Sequence, residues 1–260
     1  MKLATFTAPG LEHPRAGVYR DDVVTALEPG QRVVDVLAGE EPRLAKESYP
    51  LDDLTLLAPV PDPSAVYGIG LNYAKHVQET GNKPPEIPIV FVKVRGSVVP
   101  PGGPIVCPSV VKRLDYEGEL TIVMGAGGRI AGYCIADDVT ARDLQGREPQ
   151  WTRAKGADTF CPLGPWVTTD DEVPDPEDLR LRTWVNEELR QDSGTSDLIF
   201  GCNELVEFIS QTCTLQPGDM ILTGTPSGVG MALDPPQFLN SGDTVRIEIE
   251  RLGAIVHSVA

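Results

Sequence analysis

Strict alternation of apolar and polar side chains is the feature that most constrains the fold of this chain. In residues 179–185 and again in 245–250, every second side chain is aliphatic or threonine. Because successive side chains of a β-strand point to opposite faces, this period of two predicts strands with one face on a core. Two shorter and more continuously apolar runs, 120–124 and 130–135, flank a glycine-rich turn and predict a buried hairpin.

The remaining elements are predicted to be short, because 26 Gly and 24 Pro divide a chain of 260 residues. Weak strand signals lie in residues 2–6, 17–19 and 32–36. Helical spacing is clear only in residues 205–212, for which Asn203 is the expected N-cap, and a shorter helix is expected over residues 72–80. The predicted fold class is mainly β with some α, an α+β protein.

A proline-rich stretch predicts the division of the chain. Residues 59–63 read Pro-Val-Pro-Asp-Pro, in which fixed φ angles and missing N–H donors favour an extended linker. We therefore expect a small N-terminal domain over residues 1–60 and a main domain over residues 61–260.

Charge and composition exclude several classes of function. There are 22 Lys and Arg against 38 Asp and Glu, for a formal net charge of −16, which argues against nucleic acid and membrane surfaces as partners. The five cysteines form no CxxC pair, which argues against a zinc ribbon or a disulfide scaffold. No apolar run has the length of a membrane span, and the first residues lack the apolar core of a signal peptide. A cytoplasmic protein is expected.

A carboxylate cluster is the first candidate site. Glu117 and Glu119 are two residues apart on a predicted strand, so their side chains share a face, and residues 136–143, which end the other strand of the hairpin, supply candidates for a third acid in Asp137, Asp138 and Asp143. One interpretation is a solvated strand face. The other is a site for a hard divalent cation, since oxygen ligands without histidine favour Mg²⁺, Mn²⁺ or Ca²⁺ over zinc.

Three further segments have both a chemical and a plain structural interpretation. Lys155 is either a solvated charge or a cation that stabilises a developing enolate. The glycine-rich loop 224–230 is either a turn or a place where backbone N–H groups and Thr225 meet a substrate carboxylate. His76 and Glu79 share a helix face, as in a carboxylate-oriented general base, but such a pair is also common by chance.

Taken together, these segments resemble the fumarylacetoacetate hydrolase family. The resemblance runs collinearly through roughly residues 64–260, and residues 1–60 look like the variable small N-terminal domain of bacterial members. The matching strings are YGIGLNYAKH from Tyr67, DYEGEL from Asp115, DDVTARDLQ from Asp137, KGADTFCPLGPW from Lys155, PGDMILTGTPSGVG from Pro217 and LNSGDTVRIEIERLG from Leu239.

The resemblance implies a mixed β-roll core, a homodimer and an Mg²⁺ or Mn²⁺ cofactor. It assigns the metal ligands to Glu117, Glu119 and Asp138, and the active-site lysine to Lys155. Other implied residues are the His76–Glu79 dyad on a segment that behaves as a lid, Thr225 as a substrate contact, Lys93, Arg95 and Ser97 as pocket residues, and Gln145 near Arg142.

Two positions depart from the family pattern. Asp137 stands where relatives often have Asn, and Asn186-Glu187-Glu188 stands where relatives usually have Asn-Gly-Glu. The second departure is expected to alter a hairpin turn only.

The activity implied first is metal-dependent hydrolysis of a C–C bond in an acylpyruvate such as fumarylpyruvate. His76, held by Glu79, would activate water, and the cation and Lys155 would stabilise the enolate that leaves. The alternative is decarboxylation of oxaloacetate, or isomerisation and decarboxylation of unsaturated 2-oxo diacids of the 2-hydroxyhepta-2,4-diene-1,7-dioate type in aromatic catabolism. A second alternative is a non-catalytic metal-dependent binding protein for small molecules.

Overall fold

The computed structural model describes residues 1–260 and contains 18 strands and five short α-helices. The strands are β1 (Lys2–Thr7), β2 (Arg15–Arg20), β3 (Val23–Leu27), β4 (Leu44–Pro50), β5 (Thr55–Leu57), β6 (Val66–Gly70), β7 (Ile89–Lys93), β8 (Val98–Val99), β9 (Leu114–Asp115), β10 (Gly118–Met124), β11 (Ile130–Asp137), β12 (Thr140–Ala141), β13 (Cys161–Thr169), β14 (Arg180–Val185), β15 (Glu188–Gly194), β16 (Met220–Leu222), β17 (Thr244–Ile249) and β18 (Gly253–Ser258). The helices are α1 (Val33–Leu37), α2 (Ala74–Glu79), α3 (Arg142–Gln145), α4 (Thr152–Lys155) and α5 (Cys202–Ser210). The mainly β fold predicted from the sequence is confirmed.

One large sheet of 12 strands combines β1–β8 with β10, β11, β13 and β16. Its strand order is β4-β3-β2-β1-β13-β11-β10-β16-β6-β7, with β5 paired to β1 and β8 paired to β13. The predicted buried hairpin is its centre: β10 and β11 pair antiparallel, and all of β10 is buried. Because β1 pairs with β13, the first strands extend the central sheet.

A second sheet, β15-β14-β17-β18, is the one predicted by the alternating pattern. Leu181, Thr183 and Val185 are buried in β14 while the residues between them are at least partly exposed. The same holds in β17, where Val245, Ile247 and Ile249 face the core. These strands contribute to the main hydrophobic cluster, which has 32 buried residues and includes Leu120 and Ile122 of the central hairpin.

The structure corrects two local predictions. Residues 32–36 were expected to be a strand because three valines favour β structure, but they form the start of α1. The backbone N–H of Arg32 donates to Asp35 at 2.8 Å, and Val33 and Leu37, one helical turn apart, are buried together. Asn203 lies inside α5 and is not its N-cap. Glu177 accepts instead from the N–H of Cys202 at 2.9 Å, a partner 25 residues away.

Candidate metal centre and active site

Three buried carboxylates meet at one end of the central hairpin. Glu117 precedes β10, Glu119 lies in it, and Asp138 follows β11. The antiparallel register pairs Gly118 with Asp137, which places Asp138 beside both glutamates. One oxygen of each carboxylate lies within 4.8 Å of the others, and all three residues are buried. The solvated-face interpretation therefore does not describe these residues.

Short backbone contacts hold this end of the hairpin. The N–H of Asp138 donates to the carbonyl of Glu117 at 2.9 Å, and the N–H of Glu117 donates to Oδ1 of Asp137 at 2.8 Å. Glu119 accepts through Oε2 from the N–H of Gly224 at 2.7 Å. Both strands are thus fixed where the three carboxylates project.

Buried cations surround the three carboxylates. Nζ of Lys155 lies 2.7 Å from Glu117 and 2.7 Å from Asp138. Lys93 contacts Asp138 and the carbonyl of Lys155. The surface-charge interpretation of Lys155 is therefore excluded, since 2% of this residue is exposed.

Arg142 adds a third cation and a fourth carboxylate. Its guanidinium lies 2.7 Å from Glu117 and 2.8 Å from Asp115, which also accepts from the N–H groups of Gly230 and Met231. The centre thus combines four buried carboxyl groups with three buried cations: Asp115, Glu117, Glu119 and Asp138 with Lys93, Arg142 and Lys155. With all of these groups ionised and no metal ion bound, the seven residues have a net charge of −1.

The carboxyl groups of Glu117 and Glu119 have opposite pKa shifts. Burial alone would raise the pKa of Glu117, but the charges of Lys155 and Arg142 outweigh it and lower that pKa to about 2. Burial raises the pKa of Glu119 well above its usual range, and the charges of Asp138 and Glu117 raise it further. Burial lowers the pKa of Lys155, but Asp138 and Glu117 more than compensate and keep the ammonium charged.

The donor set fits a hard divalent cation. It consists of carboxylate oxygens alone, which suits Mg²⁺ and Mn²⁺ and disfavours soft metals. Burial, followed by the charges of Asp138 and Glu117, raises the pKa of Glu119, and a bound cation would offset the repulsion between these carboxylates. Glu117, Glu119 and Asp138 can therefore hold such an ion.

A cavity of about 270 Å³ opens onto this centre. Its lining consists of charged and polar residues together with apolar residues and two glycines: His76, Thr80, Asn82, Glu117, Arg142, Gln145, Lys155 and Thr225, with Ile69, Gly70, Leu71, Gly146, Trp151 and Met231. The structure thus brings Glu117, Lys155, His76, Thr225 and Gln145 of the sequence-predicted site to one cavity.

The predicted helix over residues 72–80 is present as α2 and carries the histidine–glutamate pair. Nδ1 of His76 lies 3.1 Å from Oε2 of Glu79. The other oxygen of Glu79 accepts from the N–H of Gly228 at 2.7 Å. The carboxylate is therefore held from both sides and orients the buried imidazole.

The glycine-rich loop contacts protein carboxylates. Gly224 and Gly228 have φ values of +104° and +101°, and each donates its N–H to a glutamate of the site. A Cβ on Gly228 would lie 2.0 Å from the carbonyl oxygen of Arg190. The Thr225 hydroxyl lines the cavity, donates to the carbonyl of Gly118 at 3.1 Å and accepts from Gln191 at 2.8 Å.

The structure does not bring three predicted pocket residues into the cavity. Arg95 is exposed and pairs with Asp62 at 3.4 Å. Ser97 is buried and donates to the carbonyl of Val94 at 2.7 Å. Lys93 is buried, does not line the cavity and contacts Asp138.

Sequence reasoning missed several residues of the centre. The sequence patterns assign no role to Arg142, Asp115 or His257. His257 is buried, and its Nε2 lies 2.8 Å from Asp137. No local pattern reports such a contact, because the two residues are 120 positions apart.

Comparison with known proteins agrees with this geometry. Residues 65–260 match the family model described as fumarylacetoacetate hydrolase C-terminal, and residues 1–59 match the one described as Rv2993c-like, N-terminal. The chain is 39% identical over 291 residues to the mitochondrial oxaloacetate tautomerase Fahd2a of Rattus norvegicus, covering all of this chain and 91% of that protein.

Solved structures with the same fold include an isomerase and a hydrolase. The 5-carboxymethyl-2-hydroxymuconate delta-isomerase of Mycobacterium smegmatis superposes with a TM-score of 0.85 at 38% identity, covering 100% of this chain and 99% of that one. The maleylpyruvate hydrolase of Sphingobium sp. SYK-6, in complex with manganese(II) and pyruvate, has a TM-score of 0.79 at 29% identity with the same coverage.

No helix of the structure is both long and apolar enough to cross a membrane.

The family assignment rests on three findings that agree with the buried carboxylate centre. A family model matches three quarters of the chain, relatives match it over its full length, and solved structures share its fold. The chain belongs to the fumarylacetoacetate hydrolase family of enzymes.

Proposed function

We propose that this enzyme interconverts the keto and enol forms of a small 2-oxo diacid of the oxaloacetate class, with a divalent cation as cofactor. One observation carries the proposal. A carboxylate-oriented imidazole, His76 with Glu79 at 3.1 Å, shares one cavity with Glu117 and Lys155 of the acidic and cationic centre. Enolisation needs a base for the carbon-bound proton and positive charge near the carbonyl oxygen, and this cavity contains both.

The cofactor would be held by Glu117, Glu119 and Asp138. When bound, an Mg²⁺ or Mn²⁺ ion supplies Lewis-acid polarisation of the substrate carbonyl. It also adds two positive charges to the centre, of which at most one is offset by the proton that Glu119 loses. We infer from this gain of positive charge that an anionic 2-oxo acid binds far better to the loaded protein than to the metal-free protein.

His76 performs the proton transfer in this proposal. With Nδ1–H donated to Glu79, the free Nε2 of a neutral imidazole accepts the proton from the carbon next to the carbonyl group. Negative charge then develops on the carbonyl oxygen, near the buried ammonium of Lys155. Return of a proton to that oxygen completes the tautomerisation with no gain or loss of atoms.

The relatives support an isomerase ahead of a hydrolase. The full-length relative from Rattus norvegicus is named an oxaloacetate tautomerase, and the structure from Mycobacterium smegmatis is named an isomerase. Two solved hydrolases are 29% identical, from Sphingobium sp. SYK-6, and 36% identical, from Exiguobacterium antarcticum, so the ranking rests on the tautomerase relative, which is 39% identical over the whole chain. This reverses the order in which the sequence alone ranked the two reactions.

Hydrolysis of an acylpyruvate is the second candidate, because the same His76–Glu79 pair can serve either reaction. An imidazole held by a carboxylate can deprotonate water as well as carbon. Decarboxylation of oxaloacetate shares the same enolate. The fold and the centre are common to these reactions, so the products distinguish them.

A substrate panel tests the proposal. Oxaloacetate, 2-oxo-diene dioates and acylpyruvates are incubated with the protein and Mg²⁺ or Mn²⁺, with and without chelator, and the products are identified. We expect metal-dependent tautomerisation or isomerisation without carbon–carbon cleavage. Pyruvate released from an acylpyruvate would establish the hydrolase instead, and no turnover of any compound would favour a binding protein.

We also propose that the protein is a homodimer, as its family membership suggests. Light scattering coupled to gel filtration measures its mass directly. A mass of one chain of 28.0 kDa at micromolar concentration would contradict the dimer.

A further inference from the structure

A buried histidine–aspartate pair lies behind the carboxylate centre. His257 is in β18, and its side chain and that of Asp137 have no exposed surface. The imidazole Nε2–H donates to Oδ2 of Asp137 at 2.8 Å, while Nδ1 is buried without a partner. A buried nitrogen without a hydrogen bond costs stability, which an apolar side chain in this place would avoid. Packing alone therefore does not account for this histidine.

The contacts of Asp137 connect His257 to the proposed metal ligands. Its second oxygen, Oδ1, accepts from the backbone N–H of Glu117 at 2.8 Å, and Asp137 is followed directly by Asp138. Gly118 pairs with Asp137 in the hairpin register. One carboxylate, held by His257 on one side, thus fixes the backbone of both strands at the positions of Glu117 and Asp138.

We propose that His257 is a positioning residue of the metal centre and acts through Asp137 on Glu117. This inference rests on the metal site of the proposed function and goes beyond it. Its role is to orient one carboxylate, whose two oxygens then each have one donor. Partners that orient metal ligands typically change metal affinity by about 10- to 100-fold when they are lost.

Direct titration of Mn²⁺ without substrate tests the proposal. The dissociation constant is measured by calorimetry for the wild type, His257→Leu and His257→Gln, with folding checked by circular dichroism. Leucine removes the donor, whereas the amide nitrogen of glutamine overlaps Nε2 and can still donate to Asp137. Ile255→Val is the matched control, because Ile255 is buried in the same strand, on the same face, two residues away.

We expect H257L to raise the dissociation constant about tenfold or more, and H257Q and I255V to stay near the wild-type value. Wild-type affinity in H257L would overturn the proposal. It would also be overturned if H257Q or I255V bound as weakly as H257L, since the donor would then not be the cause.

A replacement variant and the result for the wild type complete the experiment. If H257L does not fold, His257→Asn replaces it, because its shorter amide does not reach the position of Nε2. Weak Mn²⁺ binding by H257N then supports the proposal, and wild-type affinity overturns it. A wild type that binds no Mn²⁺ contradicts the metal site itself, which separates failure of the proposed function from failure of this inference.

Discussion

At the scale of single residues, the close packing around Gly118 decides whether the two glutamates can face one site. The Gly118 N–H donates to Gln191 at 3.1 Å and its carbonyl accepts from Thr225 at 3.1 Å. The side chains of Gln191 and Thr225 also bond each other at 2.8 Å. Thr225, implied by the family as a substrate contact, therefore also holds the backbone between Glu117 and Glu119.

Gly118→Ala should destabilise the protein and weaken Mn²⁺ binding. A Cβ would lie 2.4 Å from Oγ1 of Thr183 and 3.2 Å from Oε1 of Gln191. Overpacking of this kind costs about 1–3 kcal/mol, and urea unfolding would measure it as a decrease in the free energy of unfolding. Gly102→Ala is the control, because its Cβ would meet nothing closer than 3.9 Å. Equal stability of the two variants would contradict this account of Gly118.

The raised pKa of Glu119 predicts that metal binding releases a proton. Because its pKa is raised, the Glu119 carboxyl group keeps its proton at a higher pH than an ordinary glutamate does. It must lose that proton before it can bind a cation, so Mn²⁺ affinity should rise with pH. Calorimetry at one pH in two buffers of different ionisation enthalpy counts the protons released. Glu119→Gln, which removes this proton together with one proposed ligand, should bind Mn²⁺ more weakly and release fewer protons. Affinity that does not change with pH in the wild type would contradict the prediction.

How much of the site the sequence predicts depends on the distance along the chain between its members. Glu117 and Glu119 follow from the strand period, and the hairpin predicts a third acid in residues 136–143, among which the family resemblance selects Asp138. The partners of Lys93 and Arg142 are 45 and 27 residues away, and that of His257 is 120 away. Such contacts depend on the sheet order, which no local pattern contains.

At the scale of elements, α2 depends on tertiary contacts. It has six residues and no side-chain N-cap, and a helix this short is not stable alone. Asn72 anchors its start: the side chain donates to the carbonyls of Phe200 and Thr223 at 3.1 and 2.8 Å and accepts from the N–H of Phe200 at 2.9 Å. At its end, Glu79 bonds Gly228.

Asn72→Ala should therefore lower kcat while Mn²⁺ binding stays near the wild-type value. It leaves three buried backbone groups unpaired, and each such group costs about 1–3 kcal/mol. Hydrogen exchange in residues 72–81 should become faster. Asn203→Ala is the control, because Asn203 is exposed in α5 and does not line the cavity. Unchanged kcat and exchange in Asn72→Ala would show that α2 does not need this anchor.

The two local errors at this scale have one cause. Three of residues 32–36 are valines, whose β-branched side chains favour strands, and Asn is a frequent N-cap residue. Local sequence preference therefore supports both expectations. Asp35 caps the first turn of α1, and Glu177 supplies the acceptor at the start of α5. In each case a side-chain acceptor outweighed the local preference.

At the scale of the whole molecule, residues 1–60 and 61–260 share a core. We propose that residues 1–60 form a small domain that depends on the main one. A cluster of 17 buried residues includes Leu3, Leu27 and Leu37 from the first segment together with Val123 and Val167 from the second. The two segments also share the β1–β13 pairing.

Removal of residues 1–60 should therefore lower the melting temperature markedly or cause aggregation. The fragment 61–260 would expose apolar residues of this cluster and one edge of β13 to water. Differential scanning fluorimetry and light scattering compare the fragment with the full chain. A monodisperse fragment with the melting temperature of the full chain would show that the small domain contributes no core.

The most direct test of the account is the rate of keto–enol interconversion of oxaloacetate, followed through the ultraviolet absorbance of the enol. We expect Mg²⁺- or Mn²⁺-dependent acceleration over buffer, its loss with chelator, and a decrease of about 10²- to 10⁴-fold in His76→Ala. His13→Ala is the control, because His13 is exposed and far along the chain from the site. Wild-type protein with metal that gives no acceleration, or His76→Ala at the wild-type rate, would contradict the account.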